Sequence, residues 1–370
     1  SVLVVKKFSN FKNYVTLSKN KILLNFIKRI FSYAIKYLQN INSKNIHRSY
    51  NFFSNTKIVE YINRSNFDII HIHWINGEML SLDDILKIKK PLIWTFHDLW
   101  PVLPTQHVYN KKIMKPIKKT KWENFFLSKK KKIFKSKKIS IVCPSYFIKN
   151  QLPEWVVNKN QMVKVIPNTI DFKMWHVKDK LISQKKINLP NKYKILTFHL
   201  PGKNDDFIKG TDIFIKILKY FKNRNDVKFL LFGSKRKEIS RLSNNIYNYS
   251  FVKNNLDLLN IYNSSDLVIS TSRFESFGQV MLEASSCGVP CIAYTDTAIK
   301  EVINNSKNIL VKKINSNEYI KKIENFLITQ NPRKRKKVNK VLFAKFNHNK
   351  VADSYVKYYK ETINNFFKIN

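Results

Sequence analysis

The chain has 370 residues, room for two domains of ordinary size, and its 44% hydrophobic and 14% aromatic content excludes a wholly disordered polymer. With 68 Lys and Arg against 25 Asp and Glu, the formal charge of +43 excludes an acidic, halophile-type surface. It leaves open a nucleic-acid partner, an anionic membrane face, or compositional drift toward Lys, Asn and Ile, because net charge speaks to partners and solubility and not to fold.

Short apolar runs predict strands at 2–5, 69–73, 92–95, 139–143, 163–166, 195–200, 227–232, 267–270 and 291–294. Their near-continuous apolar character suits parallel strands buried on both faces. Helical patterns lie between most of them, so the chain reads as α/β with parallel sheets and right-handed crossovers. The boundary is placed near Pro167, giving domains 1–165 and 166–345, and a cleft between two doubly wound sheets is the expected ligand site. Over 346–370, Val351, Tyr355, Tyr359, Ile363 and Phe366 recur at helical spacing. This last helix packs either on its own domain or back on the first.

Cys143, Cys287 and Cys291 form neither a Cys-x-x-Cys pair nor an even framework, which points to a reducing, cytoplasmic setting without a zinc site. No run of about 18 apolar residues is present and no signal-peptide pattern is visible. The chain opens on Ser1 and Val-Leu-Val-Val, as though partway into its first domain.

Lysines crowd residues 111–138, with Trp122, Phe125, Phe126 and Phe134 interleaved, and a second basic run spans 333–337. Each is either a solvated face or a surface attracted to an anionic membrane. Nucleic acid is not expected, since no RNP motif, zinc finger or helix-turn-helix signal accompanies the charge. Residues 22–38 carry an apolar stripe, Ile22, Phe26, Ile30, Ala34 and Leu38, that suits core packing or a lipid interface.

Only six glycines occur, and five of them, Gly202, Gly210, Gly233, Gly278 and Gly288, follow the boundary. That bias places close backbone approach, and hence a phosphate-bearing ligand, in the second domain. The richest cluster runs from Ser272 to Ala284, after a predicted strand and into a predicted helix. A strand–loop–helix junction with a glycine presents free N–H groups and the positive helix end to an anion. Glu275 and Glu283 in this cluster suit sugar and ribose hydroxyls as acceptors, or are simply helix-cap and surface carboxylates.

Phe274-Glu275-Ser276-Phe277-Gly278, with Glu283 and Cys287-Gly288-Val289-Pro290, resembles the Glu-x7-Glu signature of family 4 retaining glycosyltransferases of GT-B fold. In the same order, residues 165–171 resemble that family's interdomain segment, Lys209-Gly210-Thr211-Asp212 its Lys-Gly donor loop, 229–233 its next strand and turn, and 258–266 the helix before the signature. In the first half, 68–74 and Trp94-Thr95-Phe96-His97-Asp98-Leu99-Trp100 are most similar to the subgroup of colanic-acid and exopolysaccharide transferases. Pro144-Ser145 matches too, and His107 aligns with a subgroup histidine.

The resemblance implies two Rossmann-like domains facing a central cleft, and transfer of a sugar from a nucleotide-diphosphate donor to a saccharide or lipid-linked acceptor. It implies His97, Lys209 and Glu275 as catalytic residues. It implies Lys209, Gly210, Gly233, Ser276, Phe277, Gly278 and Glu283 around the donor. Lys209 would neutralise the departing diphosphate, Glu275 would hold sugar hydroxyls, Glu283 would take the ribose, and His97 would reach the donor sugar across the cleft. No metal and no cofactor beyond the donor are expected: no Asp-x-Asp occurs, and His71-x-His73 reads as structural. The chain departs from the pattern in three places. The family's first strand and glycine-rich loop find no match, with 2–5 read as its second strand, so a truncated relative without turnover is the alternative to an active enzyme. The arginine before the Lys-Gly loop has only His199, Ile208 or Lys203 nearby. The Gly-Gly before Glu301 is replaced around Thr297-Ala298.

Overall fold

The computed structural model describes residues 2–4, 14–16, 30, 47–114, 120–158, 161–203, 206–303, 308–329 and 340–368. The expected stripe over 22–38 (Ile30 apart) and the basic run 333–337 lie outside the described residues. So does the middle of the basic stretch, 115–119.

Twelve strands are described, in chain order β1 (Val2–Val4), β2 (Tyr14–Thr16), β3 (Ile70–Ile72), β4 (Leu92–Thr95), β5 (Ser140–Cys143), β6 (Val163–Val165), β7 (Lys194–His199), β8 (Val227–Phe232), β9 (Ile246–Ser250), β10 (Leu267–Ile269), β11 (Cys291–Tyr294) and β12 (Ile309–Val311). β1 and β2 pair in parallel on their own. The four-stranded sheet runs β3-β4-β5-β6 and the six-stranded sheet β12-β11-β10-β7-β8-β9, and every pair in both is parallel. The fold is therefore the expected α/β arrangement of two parallel-sheet domains. β2, β9 and β12 were not anticipated. β9 and β12 are the two edges of the second sheet, and the polar alternation of Ile246-Tyr247-Asn248-Tyr249-Ser250 hides it from a search for apolar runs.

Strand periodicity sets the cores. In the second sheet, Ile195, Leu230, Val268 and Ala293 point to one apolar layer, while Leu196, Leu231, Leu267 and Ile292 point to the other. In the first sheet, one face meets the helices Thr56–Arg64, Leu82–Lys87 and Lys121–Ser136 through Ile58, Ile85 and Ile133. The other face presents Ile93 and Val142 to the last helix, His348–Phe367, through its Val351 and Tyr358.

That last helix reaches the first domain from the second. The preceding helix, Lys340–Phe346, packs Leu342 and Phe346 into the second domain, and the Ile170 amide donates to the Phe346 carbonyl (3.1 Å). Past Asn347 the chain lies on the first sheet. There the Tyr358 hydroxyl donates to the carbonyls of Ile141 and Met162 (3.1 and 2.8 Å), and Thr362 donates to Ser140 (2.8 Å). Among the described residues no helix is long and apolar enough to cross a membrane.

Candidate active site

The strand order of the second sheet reverses at β7. The chain winds outward through β8 and β9, then returns to lay β10, β11 and β12 on the other side. Helices on opposite faces part at such a switch point and leave a crevice beyond the strand ends. A cavity of about 150 Å³ opens there, between His199 at the end of β7 and Ser270 just past β10. Gly278 and Gln279, at the start of the helix Gln279–Ser286, form a further wall.

Lys209 ends the short helix Asp206–Lys209, and its loop is pinned from behind. The Thr271 hydroxyl donates to the carbonyls of Lys209 and Gly210, both at 2.9 Å, and the Arg273 amide donates to the Ile208 carbonyl (2.7 Å). Gly210 has φ +65°, and a Cβ there would lie 2.0 Å from the Thr271 carbonyl oxygen, so only glycine permits the approach. The Lys209 ammonium meets the Glu275 carboxylate at 2.5 Å, and Ser272 donates to the same oxygen at 3.0 Å.

Lys209 and Glu275 also line a second cavity, of about 270 Å³, whose opposite wall belongs to the first domain: Trp74 past β3, Asp98 past β4, His47 and His107. The ion pair thus stands between the two spaces. Asp98 and His107 share a hydrogen bond of 2.6 Å, and the far ring nitrogen of His107 meets Ser49 at 2.8 Å. Trp74 is 54% exposed and offers a broad aromatic face.

Several contacts hold the domains together across the cleft. The Ser145 hydroxyl donates to the Ser276 carbonyl (2.7 Å), and Asn110 donates to the carbonyls of Arg273 and Asp296 (3.2 and 3.3 Å). The Glu301 carboxylate accepts the amides of Tyr146 and Phe147, at 2.9 and 2.7 Å. Glu301 therefore closes the start of a first-domain helix from the second domain.

Not every residue anticipated for the site reaches a cavity. Lys209, Glu275, Ser276 and Gly278 do. Gly210 serves the loop behind. Gly233 backs the His199 ring, 2.8 Å from where its Cβ would stand. The Phe277 side chain is buried against Phe346. Glu283 lines neither cavity: it accepts from the Tyr262 hydroxyl at 2.8 Å, and burial pushes its carboxyl up against the lowering effect of its Tyr262 and Gln279 hydrogen bonds. His97 also lines neither. Its ring stacks on His73, with a 2.9 Å contact between ring nitrogens.

His71 continues that row, with its two nitrogens on the Tyr359 and Thr95 hydroxyls, both at 2.8 Å. Burial, then the neighbouring imidazoles, lowers His71 to about 3. His73 falls to about 4 through the burial of its stacked face and through His97. The row is uncharged near neutrality. Among the described residues no cluster of three or more His, Cys, Asp or Glu could hold a metal ion.

Trp74, Asp98 and His199 are recoverable from sequence by the rule that residues at or just past strand ends line the cleft. Ser49 and Tyr262 carry no such signal.

Residues 33–173 match the family described as Glycosyltransferase Family 4, and residues 180–341 match Glycosyl transferases group 1. A relative from Klebsiella pneumoniae, an "Uncharacterized 41.2 kDa protein in cps region", is 24% identical, over 82% of this chain and 81% of its own. The N-acetyl-alpha-D-glucosaminyl L-malate synthase of Bacillus anthracis is also 24% identical, over 67% of this chain and 62% of its own. Among solved structures, sucrose-phosphate synthase from Thermosynechococcus elongatus superposes with a TM-score of 0.63 at 19% identity, covering 83% of this chain and 77% of that one. Anabaena HepE in complex with UDP and glucose superposes at 0.61 and 16% identity, covering 82% and 79%. With both halves matched and the two-domain fold shared, the chain belongs to the family 4, group 1 glycosyltransferases of GT-B fold.

Proposed function

We propose that the protein is a retaining glycosyltransferase that moves a sugar from a nucleotide-diphosphate donor to a saccharide or lipid-linked acceptor in cell-surface polysaccharide synthesis. The observation that carries this reading is the Lys209–Glu275 pair at the junction of the two cavities. A donor laid from the switch-point crevice toward the cleft brings its diphosphate to Lys209 and its sugar to Glu275. The UDP and glucose of the Anabaena relative support the donor class, and the capsule-region relative supports the pathway.

The acceptor belongs in the larger cavity, where Trp74 offers a stacking face for a sugar ring and Asp98 a carboxylate for its hydroxyls. The acceptor oxygen attacks the anomeric carbon on the face that the diphosphate leaves. The anomeric C–O bond breaks with its electrons on the diphosphate, and the acceptor proton passes to a phosphate oxygen. Lys209 opposes the growing negative charge in place of a metal. Glu283 turns from Tyr262 to the ribose, and His97 approaches the sugar from the first domain as the cleft closes. The helix Lys121–Ser136 turns Trp122 and Phe125 outward beside exposed Lys121, Lys131, Lys132 and Lys135, which supports work against an anionic, cytoplasmic membrane face.

Calorimetry against a panel of UDP- and GDP-sugars identifies the donor. In a transfer assay, Lys209→Ala and Glu275→Ala are each expected to lower kcat by about 100- to 1000-fold, and Glu283→Ala to raise the donor KM. Unchanged turnover in all three rejects the assignment.

A further inference from the structure

Lys130 lies on the wrong side of its helix for a lysine. The helix Lys121–Ser136 is started by a capping box, in which Thr120 accepts from the Glu123 amide and Glu123 from the Thr120 amide. Lys131, Lys132 and Lys135 face solvent, whereas Lys130 is 1% exposed. An ammonium has three protons to donate and needs a partner for each when buried. Lys130 finds all three on one loop: the carbonyls of Trp100, Leu103 and Pro104, at 2.5, 2.6 and 3.0 Å. Its Nζ also lies 3.9 Å from the centre of the Trp100 ring. Burial presses this group toward the neutral amine and the nearby Asp98 charge opposes it; three carbonyl acceptors use the full ammonium.

The loop needs such a partner. Pro101 and Pro104 lack N–H groups, so this stretch cannot join a regular ladder. Its ends are Asp98 and His107, closed on each other by their hydrogen bond and by the Leu99 amide donating to the His107 carbonyl (2.9 Å). The other Asp98 oxygen accepts the Trp100 amide (2.8 Å), and the Trp100 indole donates to the Ser49 carbonyl (2.8 Å). Asp98 and His107 are also among the first-domain residues that face Lys209 and Glu275 across the larger cavity.

We infer that Lys130 is a positioning residue for the acceptor. Its ammonium fixes the loop 98–107 from inside the first domain, so that Asp98, held in place by His107 and the Trp100 amide, meets the acceptor hydroxyls at a set distance from the donor side. The inference rests on the reading of the larger cavity as the acceptor's place.

The test uses the full chain with Lys130→Met, which keeps the length and loses every donor, and Lys130→Gln, which returns two N–H groups. Lys130→Met is expected to lower kcat/KM for the acceptor at least tenfold, while the donor Kd by calorimetry and the slow transfer of sugar to water stay within twofold. The side-chain nitrogen resonances of His107 shift in Lys130→Met and recover in part in Lys130→Gln, as does the acceptor KM. A less heat-stable Lys130→Met with wild-type acceptor KM and His107 resonances overturns the inference, since the lysine would then only stabilise the loop. Loss of donor affinity alongside acceptor affinity overturns it too, as general damage. If Lys130→Met does not fold, wild-type acceptor kinetics in Lys130→Gln overturn it. Failure of the transferase reading itself is seen separately, as wild-type protein that binds no nucleotide sugar.

Discussion

On the second-domain side of the cleft, main-chain geometry sets where Lys209 and Glu275 stand. Gly210 lies against the Thr271 carbonyl, Gly278 opens a helix with φ +97°, and the crevice exists because the strand order turns back at β7. On the first-domain side the wall is side chains: Trp74, Asp98 and His107, tied to Ser49 and to a buried lysine. On the proposed reading, a wall fixed by main-chain geometry suits what every donor shares, a diphosphate and a ribose. A side-chain wall can change without disturbing the sheet beneath it, which suits the part of the reaction that differs between enzymes of one fold.

The sharpest way to break this contrast is one methyl group. Gly210→Ala puts a Cβ where the Thr271 carbonyl already stands, in a left-handed conformation that alanine resists. A loss of about 3 kcal/mol or more in chemical denaturation is expected, with donor binding lost as well. A loss under about 1 kcal/mol would mean that the loop relaxes freely and the wall is not rigid. The next largest effect concerns the joint between the halves. Glu301→Ala removes two charge-assisted hydrogen bonds to Tyr146 and Phe147 and should shift the open–closed balance by about 2 kcal/mol toward open. Small-angle scattering should show an expanded average, and an unchanged radius of gyration would count against the latch.

Mild acid tests the histidine row of the first half. His71 titrates near 3 in the folded chain and near 6.5 when unfolded, so between these values the unfolded state binds the extra proton. Stability is complete above pH 6.5 and falls as the pH drops, by about 2 kcal/mol at pH 5 from this residue. His71→Asn should flatten that slope in denaturation curves taken across the range, and an equally steep slope would exclude His71 as its source. Tyr358→Phe, which takes a hydroxyl from the Ile141 and Met162 carbonyls, should cost about 1 kcal/mol and loosen the last helix to hydrogen exchange. Lys131→Gln and Lys135→Gln, on the exposed side of the helix that buries Lys130, should each stay within about 0.5 kcal/mol of wild type. A larger loss at either would show that the outer lysines also support the fold.

The second-domain cavity lining was the more legible, because those residues are contiguous in the chain. Lys209-Gly210 and the run from Glu275 to Gly278 each sit on one loop. The first-domain side was only partly legible. His97 stands out in sequence yet pairs with His73, whereas Asp98, its neighbour, faces the cavity; a one-residue step past a strand end reverses the side chain's direction. In the last helix the expected stripe included Tyr355 and Tyr359, but the residues buried deepest there include Tyr358 and Thr362, whose hydroxyls satisfy sheet groups no apolar count can see.

Taken by itself, the order of residues settled the alternation of strand and helix, the glycine-dependent turns and the family, because each depends on backbone geometry or on neighbours a few positions apart. Tertiary structure alone decided the strand order that opens the crevice and the return of the last helix to the first sheet. It also decided the meetings of Ser49 with His107, Lys130 with the loop 98–107 and Lys209 with Glu275. Those side chains are brought together by packing between distant segments, and local periodicity carries no record of which distant segment will arrive.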